Sequence, residues 1–163
     1  MAADREALFR RYEEGPRVLK AALDTVPREA MPWRPAEGKW SAHEVIVHCA
    51  DSETTSSVRI RYLVGEASPT ISGYDEAAWA RVMDYHARPL DLSLRQVESV
   101  RAWTTEFIRS LPDAAWARAG RHTEIEGPYT AQQWLEIYAE HLEIHARQLL
   151  RNVAAWQARA PGG

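Results

Sequence analysis

The chain has 163 residues, enough for one domain, taken as 1–163, whose core needs no covalent staple. Its single cysteine, Cys49, excludes an internal disulfide and a zinc site built from thiolates. The net charge of −3 is mild and the basic residues are scattered, so no basic face for nucleic acid is expected.

The first segment with helical spacing covers about 3–25, with Leu8, Tyr12, Leu19, Ala22 and Leu23 along one stripe. Its opening, MAADREALFR, is charged and lacks the apolar stretch of a secretory signal. No apolar run approaches the ~20 residues of a bilayer span, so a soluble cytoplasmic protein without membrane partners is expected. Gly15-Pro16 interrupts the first segment and either kinks it or splits it in two. The prolines of VPREAMPWRP end it.

Ser41 and Glu44 form a capping box that starts a second helix, running to about Leu63 with Gly65 just past its end. A long connection follows, with a short helix expected in GYDEAAWARVMDYH. The third long helix is placed at about 92–111, with Val97, Val100, Trp103, Thr104, Phe107 and Leu111 as its buried stripe. Within 113–129, RHTEIEG reads as a short extended piece, and strand signals elsewhere are absent. Thr130 and Gln133 make a second capping box, opening a fourth helix that continues to about Ala158. The closing APGG reads as a frayed end. The pattern is that of an all-α four-helix bundle, its second and third helices joined by a connection long enough to cross the bundle and let them run parallel.

His141 and His145 lie four apart, one turn above each other on a helix face shared with Trp134, Tyr138, Leu142 and Leu149. That face is apolar and points inward, and two buried imidazoles need partners. A metal ion would satisfy one nitrogen of each; ordinary packing with other polar groups is the alternative. His43 and His48 are five apart, so about 100° per residue turns them roughly 140° from each other. His48, deeper in its helix, is the better third ligand, unless it is a core histidine bonded to a carbonyl or carboxylate. The zincin spacing is missed by one residue in HEVIVH, and no glutamate precedes a histidine by three, as a di-iron bundle requires. Cys49 reads as a small buried hydrophobe, and His86 and His122 as surface histidines.

KWSAHEVIVHCADSE, then YDEAAWA, then EGPYTAQQWLEIYAEHLEIHARQL together resemble the DinB-like family of metal-binding four-helix bundles over roughly 5–152. The branch this chain looks most similar to holds bacillithiol S-transferases and proteins named provisionally as metal-dependent hydrolases. The resemblance implies a divalent ion, zinc or nickel, on His48, His141 and His145. It also implies transfer of a low-molecular-weight thiol to a small electrophilic substrate. Hydrolysis, or a non-catalytic metal-holding module, are the alternatives.

Around such a centre, Asp51, about one turn beyond His48, is the candidate general base. Tyr138 and Gln148 are candidates for orienting the histidines. Tyr74, Asp75 and Trp79 are candidates for the site mouth, with Trp79 also readable as a core plug. Arg59 and Arg61 are candidate cations for an acidic thiol. A homodimer through an exposed apolar helix face is expected.

Overall fold

Helix-forming segments with apolar stripes and strong caps dictate most of the architecture. It is seen in a computed structural model that describes residues 2–159, with side chains from Asp4 onward; the APGG tail lies outside the described residues. In chain order the elements are α1 (Ala2–Leu23), α2 (Ala42–Gly65), β1 (Thr70–Ile71), α3 (Glu76–Val82), α4 (Leu90–Arg109), β2 (Ala119–His122), β3 (Pro128–Thr130) and α5 (Ala131–Ala158). Short 3-10 turns lie at Arg28–Ala30, Tyr85–Ala87 and Asp113–Ala117. Among the described residues no helix is long and apolar enough to cross a membrane.

Side-chain register gives the helix directions. His43 meets Arg88, Glu53 meets Arg101 and Ser57 meets Thr104, so α2 and α4 run parallel. Arg5 meets Gln132 and Arg11 meets Glu143, so α1 and α5 are also parallel. His141 opposite Ser52, and Trp134 opposite Ser56, set α5 antiparallel to α2. The expected crossover therefore exists, and it carries α3 over the bundle.

Both capping boxes form. The Ser41 hydroxyl accepts from the Glu44 amide at 3.2 Å while the Glu44 carboxylate accepts from the Ser41 amide at 2.9 Å; Thr130 and Gln133 do the same for α5. Glu44 is buried and also paired with Arg34. Burial pushes its carboxyl up, but Arg34 and Ser41 outweigh that and hold it at about 2. Ser41→Ala removes an amide's acceptor and the hydroxyl that bonds His86, and is expected to cost about 1 kcal/mol in thermal denaturation.

Several boundaries and faces differ from expectation. α1 runs unbroken through Gly15-Pro16. Pro16 has no N–H for the Tyr12 carbonyl, and the Arg101 guanidinium supplies the missing donor at 2.7 Å. Gly15 makes room for it: a Cβ there would stand 3.3 Å from Arg101 Nη1 and 3.1 Å from Leu142. Gly65 is the last residue of α2 rather than the first beyond it. α4 starts at Leu90, and its stripe is Val97, Arg101, Thr104 and Ile108. Trp103 is 63% exposed, with Arg61 stacked 3.7 Å over its ring. β1 was not foreseen: two residues are too few for strand alternation to register. It pairs in parallel with β2, which pairs antiparallel with β3. The bundle is thus all-α apart from this three-stranded patch at the C-terminal ends of α2 and α4.

The core falls into two large apolar halves, beside a small third cluster of Val47, Ala80 and Tyr85. One gathers Leu19, Ile46, Cys49, Val97, Leu142 and Leu149; the other gathers Tyr12, Ile60, Leu63, Ile108, Trp134 and Leu135. On each of the four helices the residues between the two halves include polar groups or a glycine: Gly15, then Ser52 and Glu53, then Arg101 and Thr104, then His141. This polar layer holds His141, and the candidate site extends from it into the first half, where His48 and His145 lie.

Candidate metal centre

α2 and α5 bring His48, His141 and His145 together, with one potential ligand atom of each within 4.8 Å of the others. The ring centroids are 4.8 Å apart for His48 and His145, 4.6 Å for His141 and His145, and 5.7 Å for His48 and His141. His48 is 2% exposed and packs against Trp40, 4.7 Å between centroids. His141 and His145 are half-buried.

Each ring is held differently. His141 Nδ1 lies 2.8 Å from Glu53 Oε1, and its Nε2 lies 3.3 Å from Ser52 Oγ. His145 Nδ1 bonds the Gln148 side-chain oxygen at 2.9 Å. His48 Nδ1 is buried with no hydrogen-bond partner. Three imidazoles each offering a nitrogen within 4.8 Å of the others make a ligand set for one ion, and neutral imidazoles are ligands for zinc, nickel and their neighbours. The donor set therefore fits a divalent ion. Burial, then the neighbouring His145 and His141, push His48 down to about 2. Burial and His141 push His145 down to about 4. Both are thus kept neutral, the state that ligates.

Behind His141 stands a pair that sequence reasoning missed. Glu53 and Arg101 are 0% and 1% exposed and joined by two bonds of 2.6 and 2.7 Å. Arg101 also donates to the Tyr12 and Tyr138 carbonyls. Burial pushes the Glu53 carboxyl up, but the Arg101 charge and the bonds from His141 and Arg101 hold it below the usual carboxylate range. A signal existed: Glu53 follows Cys49 by four and precedes Ile60 by seven, while Arg101 follows Val97 by four and precedes Ile108 by seven. Each charge interrupts an apolar stripe.

The other expected residues divide. Gln148 holds His145 as described. Tyr138 makes no hydrogen bond to a histidine; its ring lies 5.4 Å from that of His141 and its hydroxyl accepts from Arg59 at 3.3 Å. Arg59 also reaches the Ser72 carbonyl, lies over the Tyr74 ring at 5.5 Å, and leaves a buried Nε without a partner. Tyr74 stacks on Trp79, 4.3 Å between centroids, and Trp79 also packs beside Val47, Ala80 and Tyr85. Asp75 caps α3 through the Ala78 amide. Arg61 is engaged with Trp103, Phe107 and Ser57. Asp51 is not brought to the histidines: it accepts from the Tyr85 hydroxyl at 2.6 Å, in a hollow of about 580 Å³ shared with Val47, Met83 and Ser93.

His86 is exposed, as expected, although hydrogen-bonded, whereas His122 is not a surface group. His86 Nε2 is 2.8 Å from Ser41 Oγ and 3.2 Å from Glu44, reinforcing the α2 cap. His122 is buried against Tyr129, because β2 turns that residue inward. His43 is half-buried and bonds the Arg88 carbonyl. Cys49 is buried in the core, and burial pushes its thiol up.

A bundle with this crossover and this histidine cluster has known counterparts. The profile of the DinB superfamily matches residues 11–149. This chain belongs to the DinB superfamily. A relative from Oceanobacillus iheyensis, provisionally named a metal-dependent hydrolase, is 30% identical over 133 residues, 82% of this chain and 76% of its own. YfiT of Bacillus subtilis, provisionally named likewise, is 28% identical over 82% of this chain and 75% of its own. The solved YfiT structure, described as a probable metal-dependent hydrolase with an unusual four-helix bundle topology, superposes with a TM-score of 0.88 at 24% identity, over 96% of this chain and 90% of its own. A second DinB-like protein of that organism gives 0.60 at 13% identity, over 96% of each chain. The fold is thus the DinB-like bundle, and the relatives together with the three-histidine cluster point to a divalent metal.

Proposed function

We propose that this DinB-superfamily protein holds one zinc or nickel ion on His48, His141 and His145 and transfers a low-molecular-weight thiol to a small electrophile. The observation that carries this reading is the convergence of three imidazoles, two with Nδ1 hydrogen-bonded and the third with a buried Nδ1 lacking any partner. A bound ion supplies a cationic centre that favours the anion of a thiol or of water near neutral pH.

The chain's own residues do the rest. Glu53 and Gln148 engage Nδ1 of His141 and His145 and leave Nε2 to ligate. Arg59, with its unpartnered Nε beside Tyr74, offers positive charge to an acidic thiol, and Tyr74 and Trp79 form an aromatic wall. Hydrolysis is the second reading. The relatives provisionally named metal-dependent hydrolases favour it, and Glu76, whose carboxyl is raised by desolvation, is its candidate general base.

The deciding experiment begins with elemental analysis of the purified protein. The protein loaded with zinc or nickel is then incubated with carboxylate-bearing thiols and a fluorogenic alkyl halide, and separately with activated esters. Product that needs both metal and thiol is the expected result. Metal-dependent ester cleavage indifferent to thiol moves the function to hydrolysis. A protein that takes up no divalent ion sinks both.

A further inference from the structure

We infer that the buried Glu53–Arg101 pair is a positioning device for the centre: it fixes His141 in the Nδ1–H tautomer, leaving Nε2 bare as its ligating atom. The tautomer follows from hydrogen-bond accounting and does not depend on a metal; the consequence for affinity rests on the metal reading above.

Arg101 donates from Nε to Glu53 Oε2 at 2.6 Å and from Nη2 to Oε1 at 2.7 Å. A carboxylate gripped by a guanidinium fork is ionised and can only accept. His141 Nδ1, 2.8 Å from Oε1, must therefore be the donor. A neutral imidazole that donates from Nδ1 has its lone pair on Nε2. The pair cannot drift, because Arg101 is itself anchored on two backbone carbonyls, those of Tyr12 and Tyr138, at 2.7 and 2.8 Å. The first is free because Pro16 cannot donate to it, and the space beside it is free because residue 15 is glycine. Four helices thus converge on the orientation of one ring.

The three histidines are consequently not equivalent. His141 has a charged partner, His145 has the neutral amide oxygen of Gln148, and His48 Nδ1 has none. An anionic acceptor on the far nitrogen increases the basicity of the ligating one, and loss of such a partner typically costs 10–100-fold in metal affinity. His141 is the ligand whose donor strength the fold has fixed.

Two measurements test this. Long-range nitrogen–proton NMR of the metal-free wild type at about pH 8, where an ordinary imidazole is neutral, should show His141 as the Nδ1–H tautomer; the Nε2–H tautomer overturns the inference. Zinc titration then compares wild type with two double variants, each removing both charges so that neither is left buried alone. Glu53→Met with Arg101→Leu has no acceptor for His141 and should bind zinc about 100-fold more weakly, while still unfolding cooperatively without metal, at a lower temperature than wild type because the Tyr12 and Tyr138 carbonyls lose their donor. Glu53→Gln with Arg101→Met keeps a neutral oxygen there and should recover part of that loss. If the Met/Leu protein folds and binds zinc within about twofold of wild type, the pair is a structural element only. If the Met/Leu protein does not fold, the Gln/Met variant and the wild-type tautomer decide. A wild type that binds no zinc sinks the metal reading, and the tautomer still decides this inference.

Discussion

Arg101→Ala should lower the free energy of unfolding by about 3–5 kcal/mol, the range for removing one partner of a buried ion pair. The variant leaves Glu53, 0% exposed, without its counter-charge, and strips donors from the Tyr12 and Tyr138 carbonyls. Glu53 then takes up a proton rather than stay charged in the core, which keeps the loss from growing larger. Chemical denaturation at neutral pH measures it. The difference from wild type should depend on acidity. Wild-type Glu53 is held below its ordinary 4.5, so its contribution is present above about pH 4.5 and is lost as pH falls through the folded value, about 2. The gap between Arg101→Ala and wild type should therefore narrow as pH falls from neutral toward about 2, because over that range folded variant Glu53 holds a proton that folded wild type does not. A loss under about 1 kcal/mol at neutral pH, typical of an exposed pair, would contradict the burial seen here.

The pair also shows where the sequence was legible and where it was not. Caps and periodicity act locally, so Ser41, Glu44, Thr130 and Gln133 fixed two helix starts, and the long Glu66–Pro89 connection gave the parallel α2 and α4. The i, i+4 spacing put His141 and His145 on one inward face, and helix depth singled out His48 over His43. What escaped depends on pairing across distant segments. Glu53 and Arg101 lie 48 residues apart, and although each interrupts an apolar stripe, neither alone names its partner. Once Arg101 is admitted to the α4 stripe, the face rotates and Trp103 moves to the surface beneath Arg61. Gly15-Pro16 looked like a break because helix propensity cannot register a guanidinium arriving from another helix to take the freed carbonyl. Asp51 looked suited to catalysis by its distance from His48, but its place on the helix turns it toward Tyr85 instead. β1 owes its existence wholly to β2 beside it.

His48→Leu should separate stability from function. Metal-free wild type keeps a nearly inaccessible imidazole in its core with Nδ1 unpartnered. An unsatisfied buried polar group costs about 1–3 kcal/mol, and an apolar side chain of similar size removes that cost. The metal-free variant should therefore be more stable than metal-free wild type by about 1–2 kcal/mol near neutral pH, after some loss of packing against Trp40. The difference should grow in acid. Folded His48 is held neutral down to about 2, whereas the unfolded imidazole titrates at its ordinary 6.5. Below 6.5 the unfolded wild type binds a proton that the folded form does not, so wild type loses about 1.4 kcal/mol per pH unit from this group while the variant loses nothing at that position. His145, held down to about 4, contributes equally in both proteins and cancels. Zinc affinity should move the other way, falling by more than the roughly 100-fold that loss of an outer hydrogen-bond partner can cause, because a ligand itself is gone. With excess zinc the order of stabilities reverses, since only wild type gains the free energy of binding. Denaturation of both proteins at about pH 7 and about pH 5.5, without and with zinc, reads all four quantities. A variant less stable than wild type in every metal-free condition would mean that His48 is a satisfied core residue, and unchanged zinc binding would remove it from the centre.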